Sequence, residues 1–291
     1  CAVPTEKNSS GLHAPPQIGI TGGTGFIGIH VRKEFAQRGI PLCVLARESA
    51  RNALLAPNEW FVACDITQPE LLDADLVPPT LVHLAWNGLV DFTSSSHLDN
   101  EMPVQSVFLE AMVGSGVRNL VVSGTCFEYG RVEGEIDESH STNPAMPYSA
   151  AKNELRKKLQ ELQKLHQFNL AWCRLFYIYG DGQRRGTLYS GIKKAIAAGE
   201  TTFEVSKKSL VRDFISVQEV AKLLVDIALA GKDIGPINVC SGKGTTIGEF
   251  VDYVADMEGA HLSVTDGNRP LPGFESDGYW GNVSMLNQLI G

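Results

Sequence analysis

The residues most suggestive of chemistry are a tyrosine and a lysine four positions apart, Tyr148 and Lys152. Residues at this spacing lie on the same face of a helix. A free phenol has a pKa of about 10 and a free ammonium a pKa of about 10.4, and a neighbouring cation favours the phenolate form. We therefore expect an acid–base catalyst in which Lys152 lowers the pKa of Tyr148. The same pair is common on solvated helices, so this interpretation needs support from elsewhere in the chain.

A glycine-rich turn upstream supplies that support. Residues 21–28 follow an apolar run, precede an amphipathic pattern and contain three glycines in the spacing G-x-x-G-x-x-G. In dinucleotide-binding folds such glycines permit a tight turn, let backbone approach a pyrophosphate and let helix and strand pack closely, while the helix N-terminus offers N–H groups to the phosphates. A purely structural turn is the alternative. The residues assigned to cofactor binding here are Gly22, Thr24, Gly25, Phe26, Ile27 and Gly28.

The residue that ends the second predicted strand indicates which dinucleotide binds. Folds that bind NAD place a carboxylate about 20 residues beyond the turn, where it holds the ribose 2′-hydroxyl. Here strand 42–46 ends in Arg47, which could pair with a 2′-phosphate through two parallel hydrogen bonds. NADP(H) is therefore favoured, and NAD(H) stays possible because the position of Arg47 could be accidental. Asp65 and Ile66, after the third predicted strand, are expected to meet the adenine.

Strands and helices alternate through the first half of the chain, which is typical of a parallel sheet covered on both faces. We expect an α/β fold, a Rossmann-type doubly wound parallel sheet with a smaller, partly discontinuous C-terminal substrate lobe. Ligands in such sheets bind beyond the carboxyl ends of the strands. The predicted strands are 17–21, 42–46, 60–63, 80–84, 120–123, 170–174 and 237–240, and the predicted helices are 26–38, 102–115, 148–166, 217–230 and 284–289.

The expected domain organisation follows from the same pattern. Residues 1–16 are polar, contain three prolines and lack the apolar core of a signal peptide, so a flexible leader and a cytoplasmic location are expected. Residues 17–176 are expected to form the dinucleotide-binding domain, with return segments near 211–240. Residues 177–210 and 241–291 are expected to form the substrate-binding lobe.

Composition excludes several classes of partner. The formal net charge is -8, from 25 basic and 33 acidic residues, without a dense basic run, so neither nucleic acid nor an anionic membrane surface is an expected partner. No apolar stretch approaches the roughly 18 residues of a membrane span. The six cysteines form no C-x-x-C and the seven histidines show no metal-ligand spacing. Buried reduced thiols and no metal site are therefore expected.

Taken together, the ordered motifs resemble those of the extended short-chain dehydrogenase/reductases, the NAD(P)-dependent epimerase/dehydratase superfamily of nucleotide sugars. The resemblance covers residues 17 to about 289. It rests on the glycine turn, on Asp65-Ile66, on the Tyr148 and Lys152 pair, and on segments 83–86, 123–130, 211–215 and 238–242.

The resemblance implies roles for individual residues. Thr125, Tyr148 and Lys152 would be catalytic, with Lys152 also on the nicotinamide ribose. Alternatives remain for several positions: Thr125 as a strand-end hydroxyl that satisfies backbone, Arg212 as a surface ion pair with Asp213 or Glu219, Trp86 as core, and Cys126 as an inert thiol. The residues placed at the nicotinamide ribose are Leu84, Ala85 and Trp86, and the residues placed at the substrate are Trp86, Thr125, Cys126, Tyr177, Arg212 and Arg269.

Departures from the family pattern narrow the implied reaction. The 4,6-dehydratases carry Asp-Glu directly after the catalytic threonine, whereas this chain has Cys126 and Phe127, so dehydration is not expected. Tyr177 stands where the family often has a substrate-binding asparagine, which puts that contact in doubt. Epimerases hold NAD tightly, whereas Arg47 suggests an exchangeable cofactor. The chain looks like the branch that reduces the C4 keto group of dTDP-linked 4-keto-6-deoxyhexoses with NADPH.

Two other functions stay open. One is an NAD-dependent nucleotide-sugar epimerase, and the other is a non-catalytic NAD(P)-sensing protein, although such sensors usually lack the Tyr/Lys pair. A homodimer through the helix that carries Tyr148 is a further implication of the resemblance.

Overall fold

The computed structural model describes residues 16–53, 56–267, 273 and 275–291, which form fifteen short strands and seven α-helices. The predicted leader lies outside these residues except for Pro16. The strands are β1 Ile18–Thr21, β2 Leu42–Ala46, β3 Glu59–Ala63, β4 Thr80–His83, β5 Asn119–Thr125, β6 Gly134–Ile136, β7 Asn169–Leu175, β8 Tyr177–Tyr179, β9 Thr202–Val205, β10 Val211–Arg212, β11 Phe214–Ser216, β12 Gly235–Val239, β13 Thr245–Thr246, β14 Ser263–Asp266 and β15 Tyr279–Gly281. The helices are α1 Phe26–Gln37, α2 Met102–Gly114, α3 Pro147–Gln163, α4 Leu188–Ala197, α5 Val217–Ala230, α6 Ile247–Met257 and α7 Ser284–Ile290.

Seven of these strands pair in parallel in one sheet, in the order β12-β7-β5-β4-β1-β2-β3. The chain moves outward from β1 to β3 and then returns to the other side of β1 with β4. This reversal between β1 and β4 is the point at which doubly wound sheets bind ligands. The predicted fold class is therefore confirmed.

Alternation of side chains along the strands builds two cores, one on each face of the sheet. In β5, Leu120 and Val122 join one apolar cluster and Val121 joins the other. Successive residues of a strand point to opposite faces, so an uninterrupted apolar run is buried on both sides. Helices α1, α5 and α7 contribute to the core that contains Val121, whereas α2 and α3 contribute to the core that contains Leu120.

A third apolar cluster lies in the C-terminal half, where α4 and α6 pack against β9. Neither helix was predicted from the sequence. A recognisable signal for α6 was nevertheless present: the Thr246 side chain and the Glu249 side chain cap each other's backbone N–H groups just before an apolar run. This Thr-x-x-Glu pattern is a helix N-terminus signature.

A buried ion pair fixes the glycine turn against the sheet. Arg32 of α1 donates two hydrogen bonds to the carboxylate of Glu59 in β3, at 2.7 and 2.8 Å, and a third to the backbone oxygen of Gly23 at 3.2 Å. A planar guanidinium suits this bidentate geometry. Helix, strand and turn are thus held in one arrangement.

The predicted element boundaries differ from the observed ones by a few residues. Predicted strand 80–84 ends at His83, predicted strand 120–123 extends over Asn119–Thr125, and predicted helix 148–166 runs from Pro147 to Gln163. Leu84 therefore lies beyond its strand and Thr125 lies at the end of its own. Among the described residues, no helix combines the length and the apolarity that crossing a membrane requires.

Candidate active site

A cleft of about 450 Å³ opens at the carboxyl ends of β1, β2, β4 and β5. It brings together every residue that the sequence assigned to cofactor binding. These residues are Gly22, Thr24, Gly25, Phe26, Ile27, Gly28, Arg47, Asp65, Ile66, Leu84, Ala85, Trp86, Tyr148 and Lys152. Residues that the sequence reading missed also line the cleft, among them Thr21, Asn87, Ser123 and Gly124. They follow or end strands of the same sheet, which is the signal that could have found them.

The glycine turn forms a cradle that side chains would fill. Gly22 has a φ of +69°, and a Cβ there would lie 2.6 Å from the backbone N of Ala85. A Cβ on Gly28 would lie 2.1 Å from the backbone oxygen of Gly22. Helix α1 begins after Gly25 with neither a capping side chain nor an acidic residue in its first turn. Its first N–H groups and its positive dipole end therefore suit an anion, as a dinucleotide pyrophosphate requires.

Arg47 lies at the rim of this cleft, exposed to solvent after β2. The next carboxylate along the chain, Glu48, is paired with Arg51. Asp65 accepts hydrogen bonds from the backbone N and the hydroxyl of Thr67, at 2.9 and 2.8 Å, and these bonds hold its pKa below its usual range. Arg47 is therefore closer in sequence to the glycine turn than Glu48 or Asp65, and both of these carboxylates are already engaged by neighbouring groups, Arg51 and Thr67.

Lys152 and Tyr148 are both buried on α3, which begins with Pro147 at a position where a missing N–H costs nothing. The Lys152 ammonium donates a hydrogen bond of 2.7 Å to the backbone oxygen of Ser123 and lies 4.0 Å from the centroid of the Trp86 ring. Burial lowers the pKa of Lys152 to about 7. The position of both side chains in one cleft agrees with their shared helical face.

The expected lowering of the Tyr148 pKa is wrong for the protein alone. Burial raises the pKa of Tyr148 above its ordinary value, and the negative charge of Glu128 raises it further. Desolvation penalises the phenolate, and here it outweighs any neighbouring cation. Tyr148 consequently holds its proton throughout the neutral range.

An aromatic enclosure surrounds the Tyr148 ring. Phe92 stacks on it with centroids 4.7 Å apart, and Trp86 and His97 approach it edge-on at 6.0 and 5.3 Å. Trp86 donates from Nε1 to Nδ1 of His97 at 3.1 Å, and His97 Nε2 donates to the backbone oxygen of Asp91 at 2.9 Å. Trp86 is thus both buried and part of the cleft lining, so the two alternatives raised for it are compatible.

A directed chain of hydrogen bonds supports the segment beneath the cleft. The amide of Gln105 donates to the backbone oxygen of Ala85 and to Glu101, at 3.1 and 2.7 Å, so its oxygen faces Nε2 of His83 at 2.5 Å. That nitrogen must carry the proton, and Nδ1 accepts from the Thr21 hydroxyl at 2.8 Å. Burial lowers the pKa of His83 to about 3, which keeps the imidazole neutral. This chain of hydrogen bonds could not be predicted from the sequence, because Thr21, His83 and Gln105 lie on three separate elements.

Thr125 ends β5 with its hydroxyl next to the following 3₁₀ turn. Its Oγ1 accepts the backbone N–H of Phe127 at 3.3 Å, as the alternative interpretation foresaw, and the proton of the hydroxyl can still be donated. Glu128 completes the cap by accepting the backbone N–H of Thr125 at 2.9 Å. The fully buried Glu128 also accepts from Trp172 at 2.8 Å and from Arg174 at 3.1 Å. Glu128 was missed, although Thr-x-x-Glu is a recognisable capping pattern.

Arg212 lies in a second cleft of about 470 Å³, together with Tyr177, Phe214 and Glu275. Its guanidinium is buried, donates to the backbone oxygen of Val211 at 2.7 Å and pairs with Glu275. The proposed surface pairing with Asp213 or Glu219 is therefore wrong.

Asp213 instead ties the late turn to the sheet. Its carboxylate accepts from the N–H and the hydroxyl of Ser241, both at 2.7 Å, and from the N–H groups of Gly242 and Gly281.

Two remaining substrate candidates have different outcomes. Cys126 is buried, accepts a hydrogen bond from the Tyr279 hydroxyl at 3.4 Å, and has its pKa raised to about 12 by burial. It is therefore a neutral thiol at physiological pH. The other four described cysteines are also free and buried. Arg269 lies outside the described residues.

The chain is similar to known proteins over most of its length. Residues 18–240 match the model of the NAD dependent epimerase/dehydratase family. The chain is 29% identical over 266 residues to a dTDP-6-deoxy-L-talose 4-dehydrogenase (NAD(+)) of Aggregatibacter actinomycetemcomitans, with 90% of this chain and 98% of that protein covered. It is 25% identical over 268 residues to a dTDP-6-deoxy-L-talose 4-dehydrogenase (NAD(P)(+)) of Kitasatospora kifunensis, with 87% and 82% covered. A crystal structure of UDP-glucose 4-epimerase with UDP-glucose from Thermotoga maritima shares the fold at a TM-score of 0.76 and 20% identity, with 93% and 91% covered.

The glycine cradle gives a direct test of where the dinucleotide binds. Replacing Gly28 with Ala places a methyl group against the Gly22 carbonyl, so the turn must shift and the N–H groups at the start of α1 lose their alignment. Loss of one charge-assisted hydrogen bond should weaken NADPH and NADH binding about 10- to 100-fold in a fluorescence titration. Gly114→Ala is the control, because no atom lies within 4 Å of its added methyl group. Unchanged affinity in Gly28→Ala would place the dinucleotide elsewhere.

Proposed function

Because the chain belongs to the NAD dependent epimerase/dehydratase family, we propose that it is a reductase of nucleotide sugars. In this proposal NADPH reduces the C4 keto group of a dTDP-linked 4-keto-6-deoxyhexose. The observation that carries the proposal is the shared cleft, in which Tyr148 and Lys152 lie beside the glycine turn. The relatives named for dTDP-6-deoxy-L-talose support the choice of sugar.

The proposed roles follow from the state of each group. NADPH, when bound at the glycine turn, supplies the hydride that reduces the carbonyl carbon. Tyr148 holds its proton in the neutral range, so it can protonate the carbonyl oxygen as negative charge develops there. Thr125 can donate its hydroxyl proton to the same oxygen. Lys152, next to the Ser123 carbonyl, would stabilise the phenolate that remains.

Arg212 would hold the substrate at a distance from the reacting carbon. A guanidinium binds phosphate oxygens through two parallel hydrogen bonds, and the Arg212 side chain is already restrained by Val211 and Glu275. Binding energy from the diphosphate can then fix the sugar in the cleft. Arg269 has the same proposed role on the basis of resemblance alone.

A nucleotide-sugar epimerase is the second candidate, because the family to which the chain belongs includes epimerases by its description. The two functions differ in stoichiometry, since an epimerase recycles its cofactor and a reductase consumes one NADPH for each sugar. Cys126 and Phe127 stand where the 4,6-dehydratases carry Asp-Glu, so neither of the two residues after Thr125 is a carboxylic acid. A neutral thiol with its pKa raised to about 12 cannot replace that acid–base pair.

The first prediction concerns Tyr148. Replacing it with Phe removes the proton donor but keeps the ring that packs on Phe92, so NADPH binding should persist while turnover falls about 10²- to 10⁴-fold. The turnover rate is measured as the fall in NADPH absorbance after addition of a dTDP-4-keto-6-deoxyhexose. Tyr253→Phe, on the exposed face of α6, is the matched control. A near-normal rate in Tyr148→Phe would remove Tyr148 from the chemistry.

The second prediction concerns cofactor choice. The exposed Arg47 should favour NADPH over NADH, and Arg47→Asp should lower NADPH affinity about 10- to 100-fold through loss of charged hydrogen bonds and through repulsion. Affinity for NADH should change little. Lys222→Asp makes the same change of charge on the exposed side of α5 and serves as the control. A wild-type preference for NADH, the cofactor in the name of the Aggregatibacter relative, would contradict the inference from Arg47.

The third prediction concerns assembly. We propose a homodimer through α2 and α3, where Val107 is 58% exposed and Leu165, just after α3, is 79% exposed. Burial of such side chains against a second copy would stabilise the pair. Sedimentation should give twice the 31.6 kDa chain mass, and Val107→Glu should give the monomer. Leu229→Glu, at an exposed position on α5, should leave the dimer intact; a monomeric wild type would contradict the proposal.

A further inference from the structure

A continuous row of aromatic rings connects the two clefts. Phe92 stacks on Tyr148 at 4.7 Å, Phe127 lies 6.0 Å from Phe92, and Tyr177 lies 5.7 Å from Phe127. The Arg212 guanidinium lies 5.5 Å from the Tyr177 ring. We call Phe92, Phe127 and Tyr177 the aromatic wall. It extends from the group that would protonate the sugar carbonyl to the group that would hold the diphosphate.

The polar atoms of this wall are turned away from its ring surface. The Tyr177 hydroxyl lies 3.3 Å from the Tyr279 hydroxyl, which itself donates to Cys126 at 3.4 Å. Since the Tyr279 hydroxyl donates its proton to the Cys126 sulfur, the Tyr177 hydroxyl must donate to the Tyr279 oxygen. Neither phenol proton is therefore directed at a substrate. Phe92 and Phe127 have no polar side-chain atom, so the ring surfaces of the wall are apolar.

The geometry of a hexose determines which of its atoms would meet these rings. The diphosphate is on C1, and C4 lies across the ring from it. C6 is attached to C5, the immediate neighbour of C4. A sugar that presents C4 to Tyr148 and its diphosphate to Arg212 carries C6 at the Tyr148 end, and in the edge orientation that turns C5 toward the aromatic wall C6 meets Phe92 and Phe127.

We propose that Phe92 and Phe127 determine specificity for sugars that lack the C6 hydroxyl. This inference rests on the proposed function, because it assumes that C4 reacts at Tyr148. A methyl group at C6 packs against the aromatic carbon of Phe92 and Phe127, whereas a hydroxymethyl group there loses hydrogen bonds to water and meets no polar atom on either ring.

Binding of a matched pair of nucleotide sugars tests the proposal without turnover. dTDP-D-fucose and dTDP-D-galactose differ only in the C6 hydroxyl, and neither can react when the protein is saturated with NADPH. The wild type should bind the fucose compound about 10- to 100-fold more tightly by calorimetry, which is the range expected when an apolar pocket receives an added hydroxyl. Equal affinities would overturn the proposal.

Two substitutions at one position assign the preference to the wall. Phe127→Leu keeps the site apolar and should retain the preference, although both sugars bind more weakly. Phe127→Gln supplies a hydrogen-bond partner and should reduce the preference to below about fivefold by improving binding of the galactose compound. Melting temperature and NADPH affinity check that both variants fold. If both variants keep the wild-type preference, Phe127 is not its source and the proposal fails.

Tyr177→Phe separates the wall from a direct polar contact. Because the Tyr177 hydroxyl is committed to Tyr279 and the ring remains in the variant, its removal should keep the ratio of the two affinities at the wild-type value. A lower ratio would show that the phenol, and not the ring surface, contributes to the preference, contrary to the orientation inferred here.

The outcome for specificity is distinguishable from the outcome for the reaction. Reduction of a 4-keto-6-deoxy sugar nucleotide together with equal binding of the pair overturns the wall and leaves the proposed function standing. Preference for the 6-deoxy compound without any reduction overturns the proposed function and leaves the wall standing as a binding determinant.

Discussion

A buried ammonium is unfavourable unless its hydrogens find acceptors, and Lys152 imposes that constraint at the centre of this protein. Its nearest acceptor is the backbone oxygen of Ser123 in β5, and its other close neighbour is the ring face of Trp86, just after β4. The ammonium therefore fastens α3 to the ends of two adjacent strands. Tyr148 lies one turn earlier on the same helix, so its position at the cleft depends on the same contacts.

Burial and the charges around this pair favour the protonated form of Tyr148. Glu128 raises the pKa of Tyr148, as burial does, and it also opposes the lowering of the Lys152 pKa by burial. Its carboxylate is itself held by Trp172 and Arg174 of the neighbouring strand β7. A protonated phenol beside a carbonyl is what reduction requires, whereas oxidation in the reverse direction requires the phenolate. The raised pKa of Tyr148 thus means that the protein without ligands carries the protonated phenol, the form from which reduction starts.

The parallel sheet and the residues that we propose contact the sugar and its diphosphate lie on different segments of the chain. The reversal of strand order, the glycine turn and the α3 pair lie at the ends of central strands. The aromatic wall and the Arg212 pair with Glu275 lie on segments that follow those strands or come from the C-terminal half. A change of substrate can therefore be accommodated by the second set while the strands that position the first set stay buried and unchanged.

The sequence by itself determined the sheet, its helices within a few residues, and many of the residues that line the cleft at the carboxyl ends of the strands. These features depend on periodicity and on local turn chemistry, which are properties of short stretches of chain. It could not determine the pairing of Arg212 with Glu275, the network of Glu128, or the direction of the Tyr148 pKa. Those depend on which residues, far apart in the chain, share one low-dielectric interior, and only the tertiary structure decides how much water each group loses and which charges it meets.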